Sequence, residues 1–297
     1  MKNHQSKLST TTFLLPIMIL MICFLFSCKT ESPTSDTTTE EWISLFDGSG
    51  IGDWTPKFTG HKLGENYKNR LVFKDSLMSV RYEATDSFKG NFGHIFYKDK
   101  FSHYRLKSTY RFVGEQMPGG PAWAIRNNGL MLHCQSPESM GLAQDFPMCL
   151  ELQLLGGNGT DERPTANLCT PGTNVMMADT LFTPHCVNST SKTYPGDHWV
   201  TVEALVLGDS LIQHIMEGEV VMEYTHPTAD SSNVSGDEGS VPANGTPIKD
   251  GYISVQAETA PIDFKSISLL NLCGCMDKKA KNYKSYFVKA DNSVCQY

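Results

Sequence analysis

Cys149-Leu150-Glu151-Leu152-Gln153-Leu154-Leu155 sets a leucine against a different residue at almost every step. Successive side chains of a β-strand point to opposite faces, so this period groups Leu150, Leu152 and Leu154 and puts Glu151 and Gln153 on the reverse. The same alternation recurs outward along the chain. In 104–112, Tyr104, Leu106, Tyr110 and Phe112 oppose Arg105, Lys107 and Arg111. Segments 76–82, 130–135, 199–207, 210–216, 219–224, 252–257 and 264–270 read as further strands, and Gly208-Asp209 between two apolar runs is a hairpin signal. Segments 156–197 and 226–249, rich in Gly, Pro, Ser, Asn and Asp, read as long surface loops. No stretch from Trp42 to Leu272 sustains an apolar period of 3.6 over three turns. Many short strands separated by turn signals predict an all-β sandwich or barrel.

The chain has 297 residues, 40% of them hydrophobic, enough for one large β domain or two ordinary domains with a packed core. A formal charge of -7 argues against nucleic acid as a partner, since phosphate binding needs clustered Lys and Arg. Lys2 and Lys7 precede an apolar run, 13–26, that is short for a membrane span and ends in Leu25-Phe26-Ser27-Cys28. This segment resembles the signal peptide and lipobox of bacterial lipoproteins, which implies lipidation of Cys28, a cell-envelope location and contact with membrane only through the lipid anchor. Residues 29–40 are Ser, Thr, Pro and acidic residues and read as a tether. The expected organisation is then leader 1–28, tether 29–40, main β domain 41–271 and a Lys-rich, cysteine-bracketed tail 272–297.

Nine cysteines are present, Cys23 and Cys28 in the leader. Export permits disulfides. A Cys169–Cys186 bridge would staple the long excursion and stabilise by about 3 kcal/mol; Cys134 with Cys149 is the expected second pair.

Alternation also nominates the chemistry. Glu151 and Gln153 point away from the leucine face, toward solvent or a cleft. In 127–135, Leu130, Leu132 and Cys134 form one face, and Asn127, Met131, His133 and Gln135 the other. In 252–258, Ser254, Gln256 and Glu258 face away from Ile253, Val255 and Ala257. Carboxylates, amides and imidazoles on such faces suit sugar hydroxyls, and Trp123 near Arg126 could stack on a sugar ring. The facing of Gln213 and His214 is ambiguous, because Ile212 and Ile215 fall on both sides. No nucleotide-binding glycine loop, GxSxG elbow or HExxH is present. Gln153 stands where a strand-borne glycosidase motif would place an acid, so two-carboxylate glycoside hydrolysis is not signposted.

Six segments in order resemble the 3-keto-disaccharide hydrolase family, formerly the domain of unknown function DUF1080. Leu45-Phe46-Asp47-Gly48 with Gly52-Asp53-Trp54 is similar to its "LFDGKTLDGW" opening. Asn127-Asn128-Gly129 resembles its "NSG" strand, Glu151-Leu152-Gln153 its "E-x-Q" strand and His198-Trp199-Val200-Thr201 its "W-N-T" strand. Gln213-His214-Ile215-Met216-Glu217-Gly218 resembles "R-H-W-x-N-G", and Gly251 to Glu258 with Ile262 to Ile267 resembles "G-x-I-x-L-Q-S-E…V-E-F-R-N-I". Glu217 stands where the family has Asn, and His133 where an Arg is common. The resemblance implies a concanavalin A-like jelly roll acting on glycosides already oxidised at C3. The tail resembles the "GCTDPxAxNYNPxAxxDDGSC" module of secreted Bacteroidota proteins, which implies a Cys275–Cys295 bridge.

A C3 ketone acidifies the C2 proton, so one base and donors for the enolate oxygen suffice to expel the C1 group, and water then adds back. Glu151 or His133 is the expected base. Arg126, Asn127, Gln135, Gln153, His214, Gln256, Glu258 and Trp123 are the expected substrate contacts. A divalent metal could replace some donors, although the sequence offers no compelling ligand set. The competing readings are a non-catalytic glycan-binding surface lipoprotein on the same fold and a structural surface protein that adheres through its tail.

Overall fold

The computed structural model describes residues 39–46, 50–83, 86–236 and 239–297. The leader, Cys28 and most of the tether lie outside the described residues. Among the described residues there is no α-helix, and no helix long and apolar enough to cross a membrane.

In chain order the strands are β1 (Ile43–Ser44), β2 (Trp54–Phe58), β3 (Leu71–Lys74), β4 (Leu77–Val80), β5 (Gly93–Phe101), β6 (His103–Phe112), β7 (Asn127–Cys134), β8 (Leu150–Leu155), β9 (Asn167–Cys169) and β10 (Thr173–Met177). They continue as β11 (Thr180–Phe182), β12 (Cys186–Val187), β13 (Val200–Leu207), β14 (Ile212–Met216), β15 (Glu219–Ala229), β16 (Gly251–Ala257), β17 (Ile262–Asn271), β18 (Cys273–Gly274) and β19 (Lys289–Ala290). A ten-stranded sheet runs β11-β10-β15-β14-β13-β6-β17-β4-β3, with β1 also paired to β17. A seven-stranded sheet runs β12-β9-β8-β7-β16-β5-β2, and every pairing within the two sheets is antiparallel. The fold is the expected all-β jelly-roll sandwich.

The leucine face of β8 lies between the sheets. Leu150, Leu152 and Leu154 join Leu130, Leu132, Ile253 and Val255 from the seven-stranded sheet, and Leu106, Tyr110, Val202, Ile212 and Phe264 from the other, in one buried cluster. Burying each such side chain contributes about 1.5–3 kcal/mol, which pins the register: a one-residue slip would turn the leucines out.

The excursion 156–197 is mostly loop, as expected, and carries the short strands β9 to β12. Two other expectations are corrected. β15 continues to Ala229, four residues into the expected loop 226–249. Alternation in β7 fails at its end: Tyr252 pairs with Cys134 but Ser254 with Met131, so Leu132 and His133 together face Ile253 alone. This is a β-bulge, with His133 at φ +52°. It turns His133 inward and sends Cys134 outward to join Met131, Phe96, Met140 and Cys149 in a separate apolar cluster.

Cys169–Cys186 and Cys275–Cys295 are disulfides. Cys134 and Cys149 are not bridged; both are buried free thiols. Burial, reinforced by a hydrogen bond with Cys134, pushes the Cys149 thiol well up, so it stays protonated and is not poised for thiolate attack. In the tail, β18 pairs with β19 in parallel. Gly274 lies against Phe287, where an added Cβ would come within 2.4 Å of the ring.

Candidate active site

The outer face of the seven-stranded sheet is not open to water. Every residue of β7 is buried, and Phe146, residues 162–164, His185, Asn188 and residues 232–235 border a cavity on that outer face. It measures about 720 Å³, within the ~300–1,000 Å³ range of small-ligand pockets. Its floor carries Asn127 of β7, Glu151 and Gln153 of β8, and Gln256 and Glu258 of and just beyond β16. These residues come from three adjacent strands because each side chain sits at the polar phase of its own alternation. In register, Met131 pairs with Glu151 and Gly129 with Gln153. Gly129 leaves room for these side chains: a Cβ would stand 2.6 Å from Glu151 Oε1 and 2.8 Å from Met131 Cε, and one of them would have to move.

Glu151 is 5% exposed, and burial raises its carboxyl to about 8. Burial, together with the neighbouring Glu151 charge, pushes Glu258 well above the usual carboxyl range. Two carboxyl groups in one dry site thus separate in role: Glu151 ionises first and Glu258 remains protonated. Gln153 Oε1 accepts from Asn167 Nδ2 at 3.0 Å, and Asn167 Oδ1 in turn accepts from the Ser189 amide at 2.9 Å. That chain fixes the Gln153 amide with its Nε2 as the remaining donor. Asn127 Oδ1, Gln256 Oε1 and Glu258 Oε2 are buried without a partner. A buried polar atom left unpaired costs about 1–3 kcal/mol, so this floor favours a ligand that brings hydroxyl groups.

The walls are loop-borne. The Cys169–Cys186 disulfide lines one side, with Arg163 and His185 beside it. Arg163 Nη2 donates to the Ile125 carbonyl at 2.5 Å while its Nε is buried without a partner. At the rim Trp123 is 57% exposed and stacks on Phe92, their centroids 6.3 Å apart with 21° between planes. Phe92 packs in turn on Phe146, which lines the cavity. An exposed indole on a rigid aromatic base is a platform for a sugar ring.

Of the residues expected to act together, Trp123, Asn127, Glu151, Gln153, Gln256 and Glu258 do meet here. Four do not. His133 is turned inward by the bulge, packs edge-on against Tyr104 and approaches the Gly208 carbonyl through Nε2 at 3.2 Å. Gln135 clamps the following segment: its Oε1 accepts from Gln144 Nε2 and from the Met148 amide, and its Nε2 donates to Ser139. Arg126, at φ +43°, donates to the Gly157 carbonyl and lines a different, smaller hollow. His214 is fully buried between the sheets, held by the Ala166 carbonyl and the Tyr224 hydroxyl; the bulge where β14 meets β15 accompanies the facing that alternation left open.

Sequence reasoning missed Arg163, Phe146 and His185, which lie on irregular segments with no period to read, and His94. The last pairs across the sheet with Gln256 on one side and Lys57 on the other. It packs against Phe146, and both its ring nitrogens are buried without a partner; burial, then the nearby Lys57 charge, lowers it to about 3. Its strand went unread because Ile95-Phe96-Tyr97 are consecutive apolar residues. Among the described residues no group of three or more His, Cys, Asp and Glu could hold a metal ion.

Comparison with curated protein sequences finds no match. Among solved structures, the chain is similar to a candidate glycosyl hydrolase from Parabacteroides distasonis at 17% identity, covering 78% of this chain and 99% of that one, with a TM-score of 0.42. It is similar to a second such protein from that organism at 16% identity, 80% and 98% coverage and a TM-score of 0.46. It is also similar to the carbohydrate-binding module CBM66 from Bacillus subtilis at 8% identity, 79% and 98% coverage and a TM-score of 0.39. A family model matches residues 41–270, the whole of the sandwich apart from its last strand residue, and the chain belongs to that family, the 3-keto-alpha-glucoside-1,2-lyase-like domain.

Proposed function

We propose that the protein cleaves 3-keto glycosides, with Glu151 as the base. The observation that carries this reading is the unequal carboxyl pair on a floor of unpartnered acceptors: Glu151 near 8 and Glu258 held protonated. Ionised Glu151 takes the C2 proton, and the electron pair moves into the C3 carbonyl as an enolate. Protonated Glu258 and the Gln153 amide donate to oxygen as charge develops there. The enolate then re-forms the ketone, a C1–C2 double bond forms and the C1–O bond breaks. The leaving oxygen takes the proton Glu151 has just gained. Water adds to C1 and a proton returns to C2, giving the free 3-keto sugar. Trp123 stacks on a ring at the rim, while Asn127 and Gln256 accept from hydroxyl groups.

The test is release of free sugar from a 3-keto disaccharide and from its unoxidised parent, each with and without a divalent metal. The reading expects release from the keto form alone, abolished in Glu151→Gln. Release from neither substrate refutes it in favour of a glycan-binding protein; release from the parent refutes the requirement for oxidation.

A further inference from the structure

Four residues form one row across the seven-stranded sheet: Met131 pairs with Glu151, Glu151 with Cys169, and Cys169 with Cys186. Residues directly opposite in antiparallel strands share a face, with Cβ atoms about 4.5–5.5 Å apart. The Cys169–Cys186 disulfide is therefore the cross-strand neighbour of Glu151, and both cysteines line the cavity with it.

The far end of the bridge belongs to a lightly held segment. β12 has two residues and lies at the sheet edge. Besides the bridge it is held by pairing with β9 and by the Thr170 amide, which donates to the His185 carbonyl at 2.8 Å. This segment carries His185, Cys186 and Asn188 of the cavity wall. Ser189, three residues past Cys186, donates from its amide to Asn167, and Asn167 donates to Gln153. Opening the bridge thus loosens both the cover over Glu151 and the chain that orients Gln153. Cys169 is buried and Cys186 is exposed, so the bridge is open to attack from its outer sulfur.

Burial is what raises the Glu151 carboxyl. The titratable groups around it are Glu258 beyond β16 and the protonated Cys149 thiol before β8, and Glu162, Arg163 and His185 also line the cavity.

We propose that the Cys169–Cys186 disulfide is a positioning element of this site, holding the wall that keeps water from Glu151 and the chain that orients Gln153, so that the oxidised protein is the competent enzyme. The inference rests on the reading of Glu151 as the base. A dithiol reverses it by exchange: one thiolate attacks the Cys186 sulfur and frees Cys169, the second thiol displaces Cys186, and the reagent leaves as its own disulfide while its two protons pass to the two cysteines.

Carbon-13 NMR of the glutamate carboxyls, with Glu151→Gln assigning the signal, gives the Glu151 midpoint. It should lie near 8 in the untreated protein, and at least about one pH unit lower after dithiothreitol and in the Cys169→Ala, Cys186→Ala double variant. Far-ultraviolet circular dichroism should stay that of the parent. Release of sugar from a 3-keto disaccharide should fall about tenfold or more in both, with the break in its pH profile moving down alongside the midpoint. The Cys275→Ala, Cys295→Ala double variant, which keeps the wall bridge, should hold the high midpoint and respond to dithiothreitol as the parent does. The proposal is overturned by a midpoint that neither reduction nor the wall variant moves, by a shift absent from the treated Cys275→Ala, Cys295→Ala protein, or by a shift that appears only with loss of the fold. Absence of sugar release from every form would refute the assignment of the base, while the midpoints still decide the part played by the bridge.

Discussion

Replacing Glu151 by Gln should make the protein more stable, by an amount that pH dictates. In the unfolded chain this carboxyl titrates near its ordinary 4.5, whereas burial holds it near 8 in the folded protein. Between those values the unfolded state releases a proton that the folded state keeps, so stability is lost as pH rises. Below 4.5 both states are protonated and the loss is nil. At pH 7 the gap is two and a half pH units, at about 1.4 kcal/mol each, or roughly 3.4 kcal/mol. Above pH 8 the loss levels off at roughly 5 kcal/mol. Gln is close in shape and uncharged at every pH, so the variant escapes this loss. Urea unfolding of both proteins from pH 4 to 9 should give a stability difference near zero at pH 4 that grows to about 3 kcal/mol in favour of the variant at pH 7. A difference that does not change with pH, or a variant less stable than the parent at pH 7, would refute the assignment of a neutral buried carboxyl. The same substitution should abolish sugar release, leaving a sturdier and inactive protein.

If Glu151 acts as an ionised base, kcat/KM on a 3-keto glycoside should rise about tenfold per pH unit toward pH 8 and level off above it; a profile that falls across that range would make Glu151 an acid instead. Gly129→Ala should cost at least about a hundredfold in activity, since the new methyl group meets Glu151 Oε1 and Met131 Cε, while far-ultraviolet circular dichroism stays unchanged; near-parent activity would show that Glu151 has freedom to move. We propose that Cys28 carries the lipid anchor, so Cys28→Ser should move the protein from the membrane fraction to the soluble fraction of cells, as read by immunoblotting.

The legible parts of the molecule were those where a single period governs a whole strand. Leu150, Leu152 and Leu154 could fill the core only by turning Glu151 and Gln153 out, and the same reasoning placed Asn127 and Gln256 correctly. It failed at His133 because one inserted residue reverses the phase, and nothing in Leu132-His133-Cys134 announces a left-handed histidine. It also could not foresee that loops would close over the polar face, which turns Glu151 from a solvated carboxylate into a buried one with a displaced titration. Cys134 and Cys149 were the expected second pair, since export permits disulfides. Their burial in an apolar cluster beside Met131 and Met140 makes them packing residues instead.

The bulge at Leu132-His133 has a consequence for how such a strand can change over generations. Upstream of it, a point substitution at Asn127 or Gly129 alters the floor of the Glu151 cavity; downstream, one at Gln135 alters the clamp on the covering segment. Deleting His133 would do what no substitution can: it would restore strict alternation with Cys134 still outward beside Met131, and remove the inward imidazole in a single step. One inserted residue thus uncouples the two ends of β7, so that either can change without disturbing the other.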